Sequence, residues 1–377
     1  MADVAGLKVG QGRRLYVSAA KQSAYGTAAA LTNIIDHPLD SDPLEPKQEQ
    51  VLDDNHATGN VTDQPTSHIS DAFSLDQPYS VYATWEAIGI FLSKCLNGGD
   101  TVAGGAAPYN HTPVFSSLPN FLSMLTWEEH MGGATWVAAT DRKHLDLAID
   151  SFELAVPDTG NARINLGLLG SGRLATGDNI TEGGLIAVSS LLPKSKFKIE
   201  IVANAANGVS DWDGSLEVSA TAGQFPTAQV TPAVVNISDY VESFAFRVKN
   251  NSKLGEHVGY SIGAGRYAGQ VFPGDRVVEV EFKAKHGSAT GLAEMLHAMA
   301  DSTATLQKEY AILIHGASDT AGHGGMWAFP VCAQSDKPSG LGGRGILRPT
   351  YKWRARACTL YQPIVSKLWN LDSVDYH

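Results

Sequence analysis

VVEVEFKAK, residues 277–285, sets Val278, Val280, Phe282 and Ala284 on one parity and Glu279, Glu281, Lys283 and Lys285 on the other. A strand turns successive side chains to opposite faces, so this stretch offers one apolar face to a core and one charged face to water. The same period of two or a β-branched run recurs in RRLYVSA (13–19), DLAIDSFELAV (146–156), KFKIEIV (196–202) and VESFAFRV (241–248). The expected fold is mainly β, with a minor α component. Two short stretches read as helices instead. In TWEAIGIFLSKCLN (84–97), Trp85, Ile88, Leu92 and Cys95 fall at helical spacing behind Thr84 as N-cap. In TGLAEMLHAMADS (290–302), Leu292, Met295, Leu296 and Met299 share one face.

Both helices lie in the same context. SVYAT or VEVEFKA precedes as a strand, and FLSMLTWEE or EYAILIH follows as another. Each half also has an earlier strand feeding a loop, so the order strand, loop, strand, helix, strand occurs twice. This is a candidate duplication. Residues 170–195 are rich in Gly and Ser and read as the connection, which places a boundary near residue 185 and predicts two tandem β domains, 1–185 and 186–377. The longest irregular segment is 36–72, broken by Pro38, Pro43, Pro46 and Pro65.

Among 377 residues, 43% are hydrophobic and 18% charged, enough apolar surface for a packed core. The net charge of −11 opposes the phosphate neutralisation on which tight nucleic-acid binding depends. That charge is concentrated. Segment 36–72 has nine acidic residues, among them Asp40, Asp42, Glu45 and Glu49, against the single Lys47, so it carries −8 of the −11. The basic counterpart is Arg344, Arg348, Lys352, Arg354 and Arg356, of which the last three alternate and would share one strand face.

Motifs of catalysis are poorly formed. Ser18 and Lys21 spell SxxK, but the serine ends a β-like run and no KTG element accompanies it. Gly263–Gly269 approximates a dinucleotide fingerprint with one residue too many and no helix behind it. His315, Asp319 and His323 cluster near a Gly-rich turn without the spacing of a metal site. Glu128 and Glu129, adjacent on a strand, point to opposite faces and cannot flank one bond. Cys95, Cys332 and Cys358 are odd in number and widely spaced, and are expected as buried thiols. Neither cofactor nor metal is expected. The N-terminus lacks the apolar core of a signal peptide and no stretch is long enough to cross a membrane, so synthesis in the cytoplasm without membrane insertion is expected.

RLYVSAAKQSAYGTAAAL, with Ala24-Tyr25-Gly26-Thr27 behind the first strand, resembles the opening of tail-tube proteins of long-tailed, non-contractile, siphovirus-type bacteriophages. VESFAFRVKNNSKL, running into Asn250 and Asn251 before VFPGDRVVEVEFKA, is similar to their later half. The resemblance implies β-sandwich or β-barrel domains, each flanked by a helix, whose sheets join those of neighbouring copies into rings. The rings would stack into the tube through which DNA leaves the capsid. A duplicated chain would form trimeric rings of pseudo-sixfold symmetry, and a single fold per chain hexameric ones; the repeat favours trimers. Implied partners are further copies of the chain, the tape-measure protein, tail terminator and distal tail proteins, and double-stranded DNA passing without specific binding. The place of residence would be the virion tail, with assembly in the host cytoplasm. Other structural roles, baseplate or capsid decoration, and a hydrolase on a β scaffold are the alternatives.

Two expectations concern charge. An acidic or neutral inner wall would let DNA slide where a basic one would trap it, so Lys352, Arg354 and Arg356 are expected away from the channel. The acidic loop, through Asp40, Asp42, Glu45 and Glu49, is expected to meet Arg348, Lys352, Arg354 and Arg356 of an adjacent copy.

Overall fold

The structure is a computed structural model that describes residues 13–35, 43–52, 68–118, 120–131, 135–186, 190–204, 212–217, 227–230, 235–254, 271–285, 309–317, 322–336, 347–358 and 361–376. Its first half contains β1 (Arg13–Val17), β2 (Asn33–Ile35), β3 (Lys47–Leu52), β4 (His68–Tyr82), α1 (Trp85–Leu96), β5 (Val102–Ala103), β6 (Tyr109–His111), β7 (Leu125–Met131), β8 (Arg142–Val156), β9 (Arg163–Gly170) and β10 (Leu174–Ala175). The second contains β11 (Phe197–Asn204), β12 (Trp212–Glu217), β13 (Thr227–Val230), β14 (Val235–Asn236), β15 (Val241–Lys249), β16 (Lys253–Leu254), β17 (Val271–Phe272), β18 (Val277–Ala284), β19 (Glu309–Gly316), β20 (Gly324–Gln334), β21 (Thr350–Ala355) and β22 (Val365–Asn370). The protein is mainly β, as its alternating stretches predict. The expected helix at 290–302 lies outside the described residues.

Strand pairing follows one scheme in both halves. β1 pairs with β7, β7 with β8, β8 with β9 and β9 with β4, all antiparallel. β11 pairs with β19, β19 with β20, β20 with β21 and β21 with β18, again all antiparallel. β2 flanks β1 as β14 flanks β11. Between the two sets runs a seam, where β15 pairs with β8 from Phe244 opposite Val156 to Lys249 opposite Ser151. Six strands therefore form one continuous wall in the order β4, β9, β8, β15, β18, β21.

β8 changes partners along its length. Its first residues pair with β7, and its later ones with β9 and β15. The apolar parity of its sequence changes midway, from Leu147 and Ile149 to Phe152, Leu154 and Val156, yet all five side chains are buried. A bulge between Ile149 and Ser151 absorbs the change, because the extra residue restores the inward face after the strand bends.

Helix α1 begins where Thr84 accepts a hydrogen bond from the Ala87 amide and ends at Asn97, which takes the left-handed conformation. It packs on β8, β15 and β22. Sequence spacing predicts one buried stripe, but every residue of α1 is buried, Glu86 and Lys94 included. The reason is the C-terminal segment, which closes over the helix: a Cβ on Gly89 would stand 2.7 Å from the Tyr376 ring, so only glycine admits this approach. The segment is itself anchored. His111 lies 2.7 Å from Asp100 and 2.7 Å from the Asp372 carbonyl, stacks on Tyr376 with ring centres 4.2 Å apart, and Asn33 donates to Asp372 at 3.0 Å.

Aromatic packing ties the halves together. Trp85, at the start of α1, stacks on Trp327 at 6.2 Å and packs on Phe197 at 6.3 Å, while Phe246 lies 5.3 Å from Trp327. Truncating a buried tryptophan of this kind costs about 3–5 kcal/mol, so both halves share one core energetically.

Candidate assembly surface

One face of the six-stranded wall is apolar and buried: Phe152, Leu154, Phe246, Val248, Val280, Phe282, Tyr351 and Trp353 lie on it. The other is charged. Register places Glu153 beside Arg247, Arg247 beside Glu279, and Glu279 beside Arg354, one row crossing four strands with alternating sign. The adjacent row sets Ala245 beside Glu281 and Glu281 beside Lys352. On this face the signs run by column, positive on β15 (Arg247, Lys249), negative on β18 at Glu279 and Glu281 before Lys283 ends the column, and positive on β21 (Lys352, Arg354).

Hydrogen bonds lock the middle columns. Arg247 reaches Glu153 at 2.9 Å and Glu281 at 3.0 Å, and Lys249 reaches Glu279 at 3.0 Å. The hydrogen bond with Glu153, ahead of the cost of burial, raises the Arg247 pKa above its ordinary value. Such pairs contribute about 0–1 kcal/mol each when part-exposed, so their effect is to fix register and field more than stability. Along the wall Ser80 continues the polar row by donating to Asn165 at 2.8 Å.

The basic residues picked from sequence are found where alternation puts them. Lys352 and Arg354 are exposed on β21 between buried Tyr351, Trp353 and Ala355, and Arg356 follows directly. Arg348 precedes the strand and pairs with Glu242 at 3.2 Å; Arg356 pairs with Glu309 at 3.6 Å. Both arginines keep about half their side chains in water, at 51% and 55%. Of the acidic set, Asp40 and Asp42 lie outside the described residues, Glu45 is exposed with its amide donating to Gln77 at 3.1 Å, and Glu49 lies in β3. Sequence reading isolated the β21 column and missed the rest of the ladder. The signal was present in the sign of the charge on each strand's polar parity, but only register shows that unlike columns adjoin.

The turn at Tyr25-Gly26-Thr27 has the conformation that its glycine suggests. Gly26 takes φ +78°, its amide donates to Asp146 at 2.6 Å, and Arg173 lies over the Tyr25 ring at 5.0 Å. Asn250 and Asn251 follow β15 directly, the second with φ +46°.

The residues weighed for catalysis have structural partners. The Ser18 hydroxyl accepts from the Thr126 amide at 2.9 Å. Glu128 bonds His130 at 2.6 Å and Glu129 bonds Arg13 at 2.8 Å, all within the sheet. His315 lies buried 2.9 Å from Glu200, and His323 is buried, whereas Asp319 lies outside the described residues. Cys95 and Cys332 are buried thiols, and Cys358 is half-buried. Among the described residues no group of His, Cys, Asp and Glu has the geometry of a metal site, and no helix is long and apolar enough to cross a membrane.

A family model described as phage tail tube protein matches residues 12–355. No curated protein matches the chain.

Proposed function

The chain belongs to the phage tail tube protein family, and from that premise we propose that it closes into trimeric rings of pseudo-sixfold symmetry that stack into a hollow conduit for DNA. It is a structural subunit of a bacteriophage tail tube, a component of the virion and not an enzyme. The observation that carries the ring reading is the recurrence of one pairing scheme in β1, β7, β8, β9, β4 and in β11, β19, β20, β21, β18. It supports two tandem domains, 1–185 and 186–377, and the β8–β15 seam is then a junction between neighbouring units made within one chain. A closed ring whose units repeat twice per chain needs half as many chains, and strand addition at the outer edges supplies the remaining junctions.

A siphovirus-type tail, a tape-measure protein in the channel, terminator and distal tail proteins at the tube ends, and assembly in the host cytoplasm belong to the same proposal. They rest on the order of the sequence motifs. Electron cryomicroscopy of the assembled protein is the test. Three chains per ring, with six similar lobes, are expected. Six chains per ring would overturn the trimer, and a protein that stays monomeric even with tail initiator components would overturn ring closure by strand addition.

A further inference from the structure

We infer that the charged face of the wall lines the channel and that Glu153, Glu279 and Glu281 screen its basic residues from passing DNA. The inference rests on the ring reading. When copies join edge to edge, the sheet becomes the wall of the ring, with one face inward and one outward. The apolar face carries α1 and the aromatic core, and so the bulk of the chain. That bulk cannot occupy a channel that must admit a duplex, so it lies outside and the exposed face lies within. Lys352 and Arg354, expected from sequence to avoid the channel, therefore face it.

A bare double column of Arg and Lys would hold DNA, because each phosphate neutralised releases a counterion. Here the columns are not bare. The acids of β18 stand between them, bonded to Arg247 and Lys249 on one side and in register with Lys352 and Arg354 on the other. Glu153 closes the far side of Arg247 at 2.9 Å. With Lys283, which lies on the same face of β18 3.6 Å from Glu242, four carboxylates thus lie among five cations, and the side chains of β15 are held along the sheet by their ion pairs. DNA meets a nearly neutral, alternating surface. Lys352, Arg354 and Arg163, exposed and in no ion pair among the described residues, are its free cations, the first two set in register with Glu281 and Glu279.

The test measures retention of short blunt-ended duplex DNA by assembled tubes, for wild type and for E153Q/E279Q/E281Q, across a salt series. The variant tubes should retain DNA about tenfold more strongly at low salt, with a steeper salt dependence. Equal retention with equal salt dependence overturns the screening. A second variant, K352Q/R354Q, changes exposed positions only; its tubes should retain less DNA than wild type at low salt. Unchanged retention there, or a tube reconstruction with Arg354 on the outer surface, overturns the placement. Failure of the wild-type chain to form tubes is a separate result, which bears on the ring reading alone.

Discussion

The side-chain amide of Asn250 donates to the Cys95 carbonyl at 3.0 Å across 155 residues of sequence, and to the Ile149 carbonyl at 3.2 Å. Asn250 follows the last residue of β15, Cys95 lies in the last turn of α1, and Ile149 sits at the β8 bulge. One buried amide therefore bridges a helix-end carbonyl and a carbonyl at the bulge. It also joins the second half of the chain to the first at the base of the seam.

Replacing Asn250 with Ala should take this donor from both carbonyls, and should lower unfolding stability by about 1–3 kcal/mol. Denaturant melts of the unassembled subunit would show this as a lower midpoint with unchanged slope. An unchanged midpoint would mean that water replaces the amide and that the contact is incidental.

Gly26 gives a second prediction, because its φ of +78° is a region that L side chains resist. Gly26→Ala should cost about 1–2 kcal/mol in backbone strain. A Cβ there would also run into the Arg173 guanidinium and displace it from the Tyr25 ring. Thermal unfolding should report the loss, and the double variant G26A/R173A should recover the part due to the clash but not the strain.

Burial, then the nearby Lys21 charge, pushes Lys94 on α1 down to about 7, against a partial pull upward from Asp375 and Asp100. Its Nζ has no hydrogen-bond partner among the described residues. Above pH 7, and up to the ordinary lysine value, the unfolded chain holds a proton that the folded chain lacks. Stability should thus climb with pH through that window, by at most about 1.4 kcal/mol per unit, and the penalty should be fully present below it. Lys94→Met should abolish the climb and raise stability at neutral pH. Parallel wild-type and variant stability curves between pH 7 and 10 would show instead that Lys94 stays protonated in the fold.

Strands were legible where binary alternation survives: VESFAFRV and VVEVEFKAK appear as β15 and β18 almost to the residue. Thr84 marked the start of α1 for the same local reason, a side-chain oxygen reaching the first free amides. What sequence could not show was anything decided by register or by distant cover. The full burial of α1 depends on Tyr376 reaching Gly89, and the charge ladder depends on β15, β18 and β21 being neighbours. Neither is encoded within a window of residues. The expectation that the basic residues of β21 meet an acidic loop of an adjacent copy was drawn without Glu281 and Glu279, which register sets beside Lys352 and Arg354.

Those acids divide the basic cluster, and the division yields the last prediction. Lys352 and Arg354 sit mid-strand opposite Glu281 and Glu279, whereas Arg348 and Arg356 flank the two ends of β21. Strands in a closed wall run broadly along its axis, so strand ends approach the faces on which rings stack. With about half their side chains in water, at 51% and 55%, Arg348 and Arg356 keep donors free beyond their pairs with Glu242 and Glu309. These two arginines, more than Lys352 and Arg354, are expected to receive Asp40, Asp42, Glu45 and Glu49 of an adjacent copy. Single exposed pairs contribute about 0–1 kcal/mol, but repetition round a ring fixes orientation. Reversal in R348E/R356E should shorten tubes or slow their growth, and adding D40K/D42K/E45K/E49K should restore length in part. The neutral K352Q/R354Q pair should leave tube length unchanged. Electron microscopy of tube lengths after a fixed assembly time reads all three, and loss of tubes with K352Q/R354Q but not with R348E/R356E would sink the division.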